Sequence, residues 1–182
     1  MKKFLQRIRG LDRIIRFSAR NRIKDESVSE HCFHVALIGM ILSDLERKFG
    51  NKVDIEKVLR SALLHDMEEC ITGDILSDFK HADKKLSKEI EKMSKKFVSL
   101  LLKDLPRDLG IFYQKIWENS TNLRSLEGKI VKAADRIEAL LYCLEEIEMG
   151  NKSFKPVVRK VIKELKSLKL KSVNFVLKEL GF

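Results

Sequence analysis

Two prolines and eight glycines in 182 residues leave little material for tight turns or long irregular loops, and a hairpin-rich sheet protein needs both. Three cysteines, Cys32, Cys70 and Cys143, are odd in number and widely spaced, which fits neither a disulfide framework nor a zinc knuckle and points to a reduced, cytoplasmic protein. Only Phe154 and Phe175 lie among the C-terminal lysines, so that stretch offers little of the platform on which bases would stack. Arg9, Asp12, Arg13 and Arg16 interrupt the N-terminal apolar stretch too early for a signal peptide. No apolar run approaches the roughly 20 residues of a membrane span. Glutamine is confined to Gln6 and Gln114, which with abundant Lys, Glu and Ile is the composition of a thermophilic source.

What is present is helix-forming. Hydrophobic residues make up 44% of the chain, enough to bury the core of one domain spanning 1–182, and the dominance of Leu, Ile, Lys and Glu favours an all-α, compact single-domain helical bundle. The formal charge is +10, which draws anionic partners such as phosphates, nucleotides or nucleic acid. The cations gather in Lys2 to Lys24 and in the lysine-rich C-terminal helices of 155–182. There Val157, Val158, Val161, Ile162, Leu165 and Leu168 recur at helical spacing, so the lysines read as a solvated face.

Periodicity and capping signals order the elements. Phe4, Leu5, Ile8, Leu11, Ile14 and Ile15 predict a first helix over residues 3–20. Ser27 and Glu30 form a capping box for a second helix, with Val35, Ile38, Ile41, Leu42 and Leu45 as its buried stripe and Gly50-Asn51 as its stop. Asp54 caps a third, which leads through Ala62 and Leu63 to His65-Asp66. Met67 to Ser77 is unusually polar and reads as a short helical turn followed by a loop. Asp83 caps a long helix that ends before Pro106, and a shorter one follows around Ile111 and Trp117. Ser125 to Met149 is the clearest late helix, Pro156 opens the next, and Ser172 to Leu180 closes a set of seven to nine.

Chemistry concentrates at His65-Asp66. Adjacent helical residues point about 100° apart, so both can meet one ion only beyond the helix end. His31, in the first turn of the second helix, and Asp135, interrupting the apolar stretch of the late helix, would complete a set of two imidazoles and two carboxylates, suited to a hydrolytic divalent metal. Asp135 has a plainer alternative as a salt-bridged helix residue beside Lys132 and Arg136. His34 reads as a packing residue or one behind the ligands, His81 as a surface residue, and Cys32 and Cys70 as core residues.

The order His31, His65-Asp66, Asp135 resembles the signature of the HD-domain metal-dependent phosphohydrolases. More narrowly, the chain resembles the YfbR-type 5′-deoxynucleotidase family. The carrying motifs are Ser27-Val28-Ser29-Glu30-His31; Leu64-His65-Asp66 with Glu69 and Thr72-Gly73-Asp74; and Lys132-Ala133-Ala134-Asp135 with Leu144-Glu145-Glu146 and Gly150-Asn151. The likeness runs through about Asn151, with core motifs within 16–135, and is poor in the lysine-rich C-terminal part.

The resemblance implies an all-α HD-type fold, a homodimer, and a phosphohydrolase that removes the 5′-phosphate of nucleoside monophosphates, preferentially deoxyribonucleotides, with water activated by one divalent ion. Co²⁺ or Mn²⁺ is favoured, with Mg²⁺, Fe²⁺ and Zn²⁺ as alternatives. By position, the metal ligands are His31, His65, Asp66 and Asp135; Glu69 and Asp74 are the acidic residues near the reaction centre; and Arg16 contacts the substrate phosphate. Phe17 stands where the family commonly has tryptophan, and Ser77 where a threonine touches the nucleotide. Glu69, one helical turn beyond Asp66, is the candidate for orienting or deprotonating water, with Asp74 sharing that task or holding the sugar. Membrane contact and nucleic-acid binding are not expected. The competing readings are an HD phosphohydrolase acting on another phosphate ester, and a basic helical nucleic-acid-binding module with a structural metal.

Overall fold

Side-chain caps at the starts of helices and glycines at their ends set most of the boundaries. The computed structural model describes all residues except Leu76, His81 and Thr121, and only the backbone of Ser77 and Asp78. Among the described residues the α-helices are α1 Lys2–Ile8, α2 Val28–Lys48, α3 Ile55–Leu64, α4 Glu69–Thr72, α5 Ser77–Lys80, α6 Lys84–Leu102, α7 Arg107–Asn119, α8 Leu126–Glu148, α9 Lys155–Ser167 and α10 Lys171–Glu179. Two of the ten, α4 and α5, have four residues each, which leaves eight longer helices, within the expected seven to nine. No strand forms among the described residues; one isolated bridge pairs Ile15 with Ser27. The all-α expectation holds.

The chain divides into two units, Met1–His31 with Asp66–Glu118, and Cys32–His65 with Asn119–Phe182. In the first unit α1 and α5 pack on α6, and α4 packs on a 3₁₀ turn at Arg9–Arg13. The continuous helix expected over residues 3–20 is not formed. Gly10 lowers helical preference by about 1 kcal/mol, and residues 14–16 gain other partners. The Arg16 amide donates to the Glu26 carbonyl and the Val28 amide to that of Ile14, each at 2.9 Å. Gly10 also lets two segments touch, since a Cβ there would lie 3.4 Å from the Cys70 carbonyl oxygen. The capping box forms as expected: the Ser27 amide donates to Glu30 Oε2 at 2.8 Å, and the Glu30 amide to Ser27 Oγ at 3.3 Å. Asp83 caps α6 by accepting from the Lys85 and Leu86 amides at 2.8 and 3.0 Å. The short helical turn expected after His65-Asp66 is α4, and α5 begins at Ser77, the last residue of that stretch.

The second unit is built on α8, whose Ile130, Val131, Ala133, Ala134 and Leu140 are fully buried. Helices α3 and α9 pack on α8, and α10 packs on α9. Asp54 caps α3 through the Lys57 amide at 3.0 Å, and Ser125 caps α8 through the Gly128 amide at 3.0 Å. Gly50 at φ +92° ends α2 with the Asn51 amide returning to the Glu46 carbonyl, and Gly150 at φ +103° ends α8 with Asn151 returning to Glu146.

Helix α2 departs from expectation in one respect. By length and composition alone it is apolar enough to cross a bilayer, with a mean hydropathy of 1.2 over an 18-residue window, although no such run was expected. Its apolar residues lie on two faces. Val35 and Leu42 are buried, whereas Phe33 at 63% exposure, Leu37, Met40 and Ile41 face outward, Ile41 contrary to its expected place in the buried stripe. Its Glu46 is buried and bonded, accepting from Asn51 Nδ2 at 2.6 Å and from the Ser172 amide at 2.8 Å.

Candidate metal centre

The dyad begins where α3 ends. His65 is the C-cap residue of α3, and its Nδ1 lies 2.7 Å from the Ala62 carbonyl oxygen. A carbonyl only accepts, so Nδ1 carries the proton and the lone pair of the neutral ring sits on Nε2, the arrangement of a metal-ligating histidine held from behind. Packing of α3 on α8 fixes this end through buried Val58, Ser61 and Ala62. Asp66 starts the next turn, closed when the Glu69 amide donates to the Asp66 carbonyl at 3.0 Å.

Within the first unit, His31 Nε2 lies 3.5 Å from Asp66 Oδ2, with the His31 side chain only 1% exposed. Two ligands on one ion at about 2.0–2.2 Å are about 2.8–3.6 Å apart for bond angles of roughly 90–109°. The observed gap fits two cis ligands. Within the second unit, a ring nitrogen of His65 and a carboxylate oxygen of Asp135 lie within 4.8 Å of one another. The four expected ligands therefore come as two His–Asp pairs, one per unit, and the His65–Asp66 peptide bond joins a member of each. Two neutral imidazoles and two carboxylates fit a borderline divalent ion.

Asp135 is also the salt-bridged residue of the plainer reading. Lys132 Nζ reaches its Oδ2 at 2.9 Å and Arg136 Nε stands 3.9 Å away, itself held by Glu164 Oε2 at 2.9 Å. The pairing tethers one carboxylate oxygen. His34 is exposed, its ring edge-on to Phe33 with centroids 5.6 Å apart.

In the first unit the structure brings Arg16, Phe17 and Asp74 together. The Phe17 amide donates to Asp74 Oδ2 at 3.1 Å, and the Arg16 guanidinium carbon lies 5.2 Å from the Phe17 ring centroid. Phe17 adopts φ +52°, a left-handed conformation that costs a non-glycine residue about 1–2 kcal/mol. Gly73 at φ +72° turns the chain out of α4 so that Asp74 can reach that amide. Burial pushes the Asp74 carboxyl above its ordinary range, while the Arg16 guanidinium and the Phe17 amide pull it back. Glu69 is half-buried at the start of α4. The Ser77 side chain, expected at the nucleotide, lies outside the described residues, as does His81.

Three residues here escaped the sequence reading as parts of the site. Glu26 figures in none of the expectations, yet its Oε2 lies 2.5 Å from Arg16 Nη1 in a largely buried ion pair. Glu68 is 6% exposed and accepts from Trp117 Nε1 at 2.8 Å. Burial, then the neighbouring Asp66 charge, pushes its carboxyl up to about 7. The doublet Glu68-Glu69 and the lone tryptophan were visible signals, but the 49-residue separation hid their pairing. Cys32, expected only as a core residue, is buried, and its sulfur lies within 4.8 Å of a His65 ring nitrogen.

The family model described as 5′-deoxynucleotidase YfbR-like matches residues 3–181. It therefore includes the lysine-rich C-terminal helices, where a poor match was expected. A 5′-deoxynucleotidase of Photorhabdus laumondii is 31% identical over 179 residues, 98% of this chain and 90% of that protein. Among solved structures, an HD-domain phosphohydrolase from Listeria innocua superposes with a TM-score of 0.88 at 24% identity, over 98% of this chain and 86% of that one. The HD phosphohydrolase of cyanophage S-2L, solved with dA and one catalytic Zn²⁺, does so at 0.66 and 15% identity, over 97% of this chain and 94% of that one. These superpositions place the chain in the all-α HD-domain fold.

Proposed function

The chain belongs to the YfbR-like 5′-deoxynucleotidase family, and from that premise we propose that it is a metal-dependent phosphohydrolase removing the 5′-phosphate of nucleoside monophosphates, deoxyribonucleotides first. One observation carries the reading: the expected ligands occur as two His–Asp pairs joined by a single peptide bond. His31, His65, Asp66 and Asp135 would hold one divalent ion, which when bound supplies Lewis acidity toward the phosphate and lowers the pKa of a water molecule. Co²⁺ or Mn²⁺ is the proposed ion, supported by the mixed imidazole and carboxylate donors.

The remaining steps belong to the chain's own side chains. Lys132 holds Asp135 Oδ2 and so restrains the carboxylate that would serve as a ligand. Glu69, one turn beyond Asp66, orients the attacking water or takes its proton, and Asp74 shares that task or grips the sugar. Arg16 neutralises the phosphate as charge builds on it, and Glu26 holds the guanidinium in place until then. Phe17 supplies a flat wall beside Arg16, and the Ser77 hydroxyl is assigned to the nucleotide. Residues 1–182 act as one functional domain in this reading, since each unit carries only half of the ligand set.

A homodimer in the cytoplasm, without membrane contact, completes the proposal. Its support is the exposed stripe of Phe33, Leu37, Met40 and Ile41, which covers about a 100° arc of α2 and suits a second copy. The decisive assay is phosphate release from a panel of deoxyribonucleoside and ribonucleoside monophosphates with Co²⁺, Mn²⁺ and Mg²⁺. Metal-dependent release, faster with deoxyribose, is expected. Silence across the whole panel would overturn the reading, and release only from added dNTPs or cyclic dinucleotides would move it to another phosphate ester.

A further inference from the structure

We infer that Cys32 is an additional, soft donor of the metal centre, one that binds thiophilic ions such as Zn²⁺, Cd²⁺ and Co²⁺ and leaves Mn²⁺ and Mg²⁺ to the harder ligands. The inference rests on the metal-centre reading above. It is carried by the second unit alone. There a ring nitrogen of His65 lies within 4.8 Å of the Cys32 sulfur and within the same distance of an Asp135 carboxylate oxygen. Sulfur, nitrogen and oxygen donors thus gather around one imidazole whose proton is held on Nδ1 by Ala62.

A sulfur and a nitrogen bound to one ion of more than four donors are about 3.1–3.6 Å apart for angles of about 90–109°, given bonds of about 2.3 and 2.0–2.1 Å. The gap left to close is at most about 1.2–1.7 Å. A rotation about the single χ1 of cysteine moves the sulfur over such a distance while the backbone stays in place. Cys32 is 5% exposed at the start of α2, and His31, itself an expected ligand, precedes it. Cys143 is buried as well, yet among the described residues neither it nor Cys70 falls in any cluster able to hold a metal. Among the described cysteines, Cys32 is therefore the one whose sulfur lies among metal-binding donors.

Two states of the centre follow. With a hard ion, Cys32 stays a neutral packing residue, and the open positions are left to water and phosphate. With a thiophilic ion, the thiol releases its proton to solvent and the sulfur takes one of those positions. Ion identity then decides between tighter binding and open coordination sites.

Metal-stripped wild-type protein titrated with Co²⁺ and followed by absorption tests this. The expected result is a sulfur-to-cobalt charge-transfer band in the near ultraviolet beside the visible ligand-field bands, lost in Cys32→Ser and kept in Cys70→Ser. Equilibrium dialysis of the folded Cys32→Ser variant should show a loss of Zn²⁺ affinity at least as large as the about 10–100-fold typical of losing a residue that only supports a ligand, with Mn²⁺ affinity unchanged. Visible bands without the charge-transfer band in the wild type would overturn the assignment of Cys32 while leaving the four-ligand centre standing. The absence of all cobalt bands would overturn both.

Discussion

Beside His31 and Asp66 the first unit gathers carboxyls, Glu68 and Asp74, both pushed above their ordinary range by burial and answered chiefly by Arg16 and the Trp117 indole. Beside His65 and Asp135 the second unit gathers cations, Lys132 and Arg136, both partly exposed on α8 next to its fully buried Ala133 and Ala134. In the first environment burial raises the carboxyls, and Arg16 lies close enough to pull one of them back. In the second, ion pairs and helix packing hold Asp135. Under the proposed function the first set would handle protons and contact substrate, and the second would keep a ligand rigid.

The largest effect expected is from Asp66→Ala, the first-unit ligand next to His65. Turnover should fall by at least about 10³-fold, the several kcal/mol that a Lewis-acid ion contributes, while the circular dichroism of the helices stays as it was. Retained turnover would remove Asp66 from the proposed ligand set. Trp117→Phe removes the indole donor from buried Glu68 and should cost about 1–3 kcal/mol in urea unfolding. Wild-type stability in that variant would mean that the carboxyls of the first unit are not held by their buried partners.

Ser125→Ala tests the second unit from its far end. Loss of the α8 cap should cost about 1 kcal/mol with kcat unchanged, because Asp135 lies almost three turns further along the helix. A kcat that falls with stability would show that ligand rigidity depends on the whole helix.

The smallest effect is a pH dependence at Asp74. With its carboxyl raised by burial, the native state gains from this group below about pH 4 and loses that contribution as pH rises through the raised value. Asp74→Asn keeps an oxygen for the Phe17 amide and carries no charge. Its Tm relative to wild type should therefore climb as pH rises above about 4, while turnover drops. A flat difference would mean that Arg16 and the Phe17 amide, rather than burial, dominate that carboxyl.

Legibility followed distance along the chain. The capping box at Ser27 and Glu30, the Asp54, Asp83 and Ser125 caps, and the Gly50 and Gly150 stops all join residues within five positions, and each stands where pattern placed it. The first helix was misread beyond Ile8 because the partners of residues 14–16 lie at 26–28, and a bridge formed across a turn leaves no periodic trace in the apolar stripe. Ile41 was misplaced because α2 is apolar on two faces, and periodicity does not say which one packs. In the site, residue types were legible and neighbourhoods were not. Of the doublet Glu68-Glu69 the reading chose Glu69, whereas Glu68 is the one that burial and Trp117 perturb.

By itself the sequence determined an all-helical chain, the ends of most helices, and the donor chemistry of His31, His65, Asp66 and Asp135. Those follow from helix period, caps and side-chain identity, which act within one or two turns. Only the tertiary structure decided that Glu68 goes inside, that Asp74 meets the Phe17 amide 57 residues away, and that the Cys32 sulfur faces His65. Each depends on which helix faces pack together. That choice is made by burial summed over many residues far apart in sequence, and it leaves no local pattern to read.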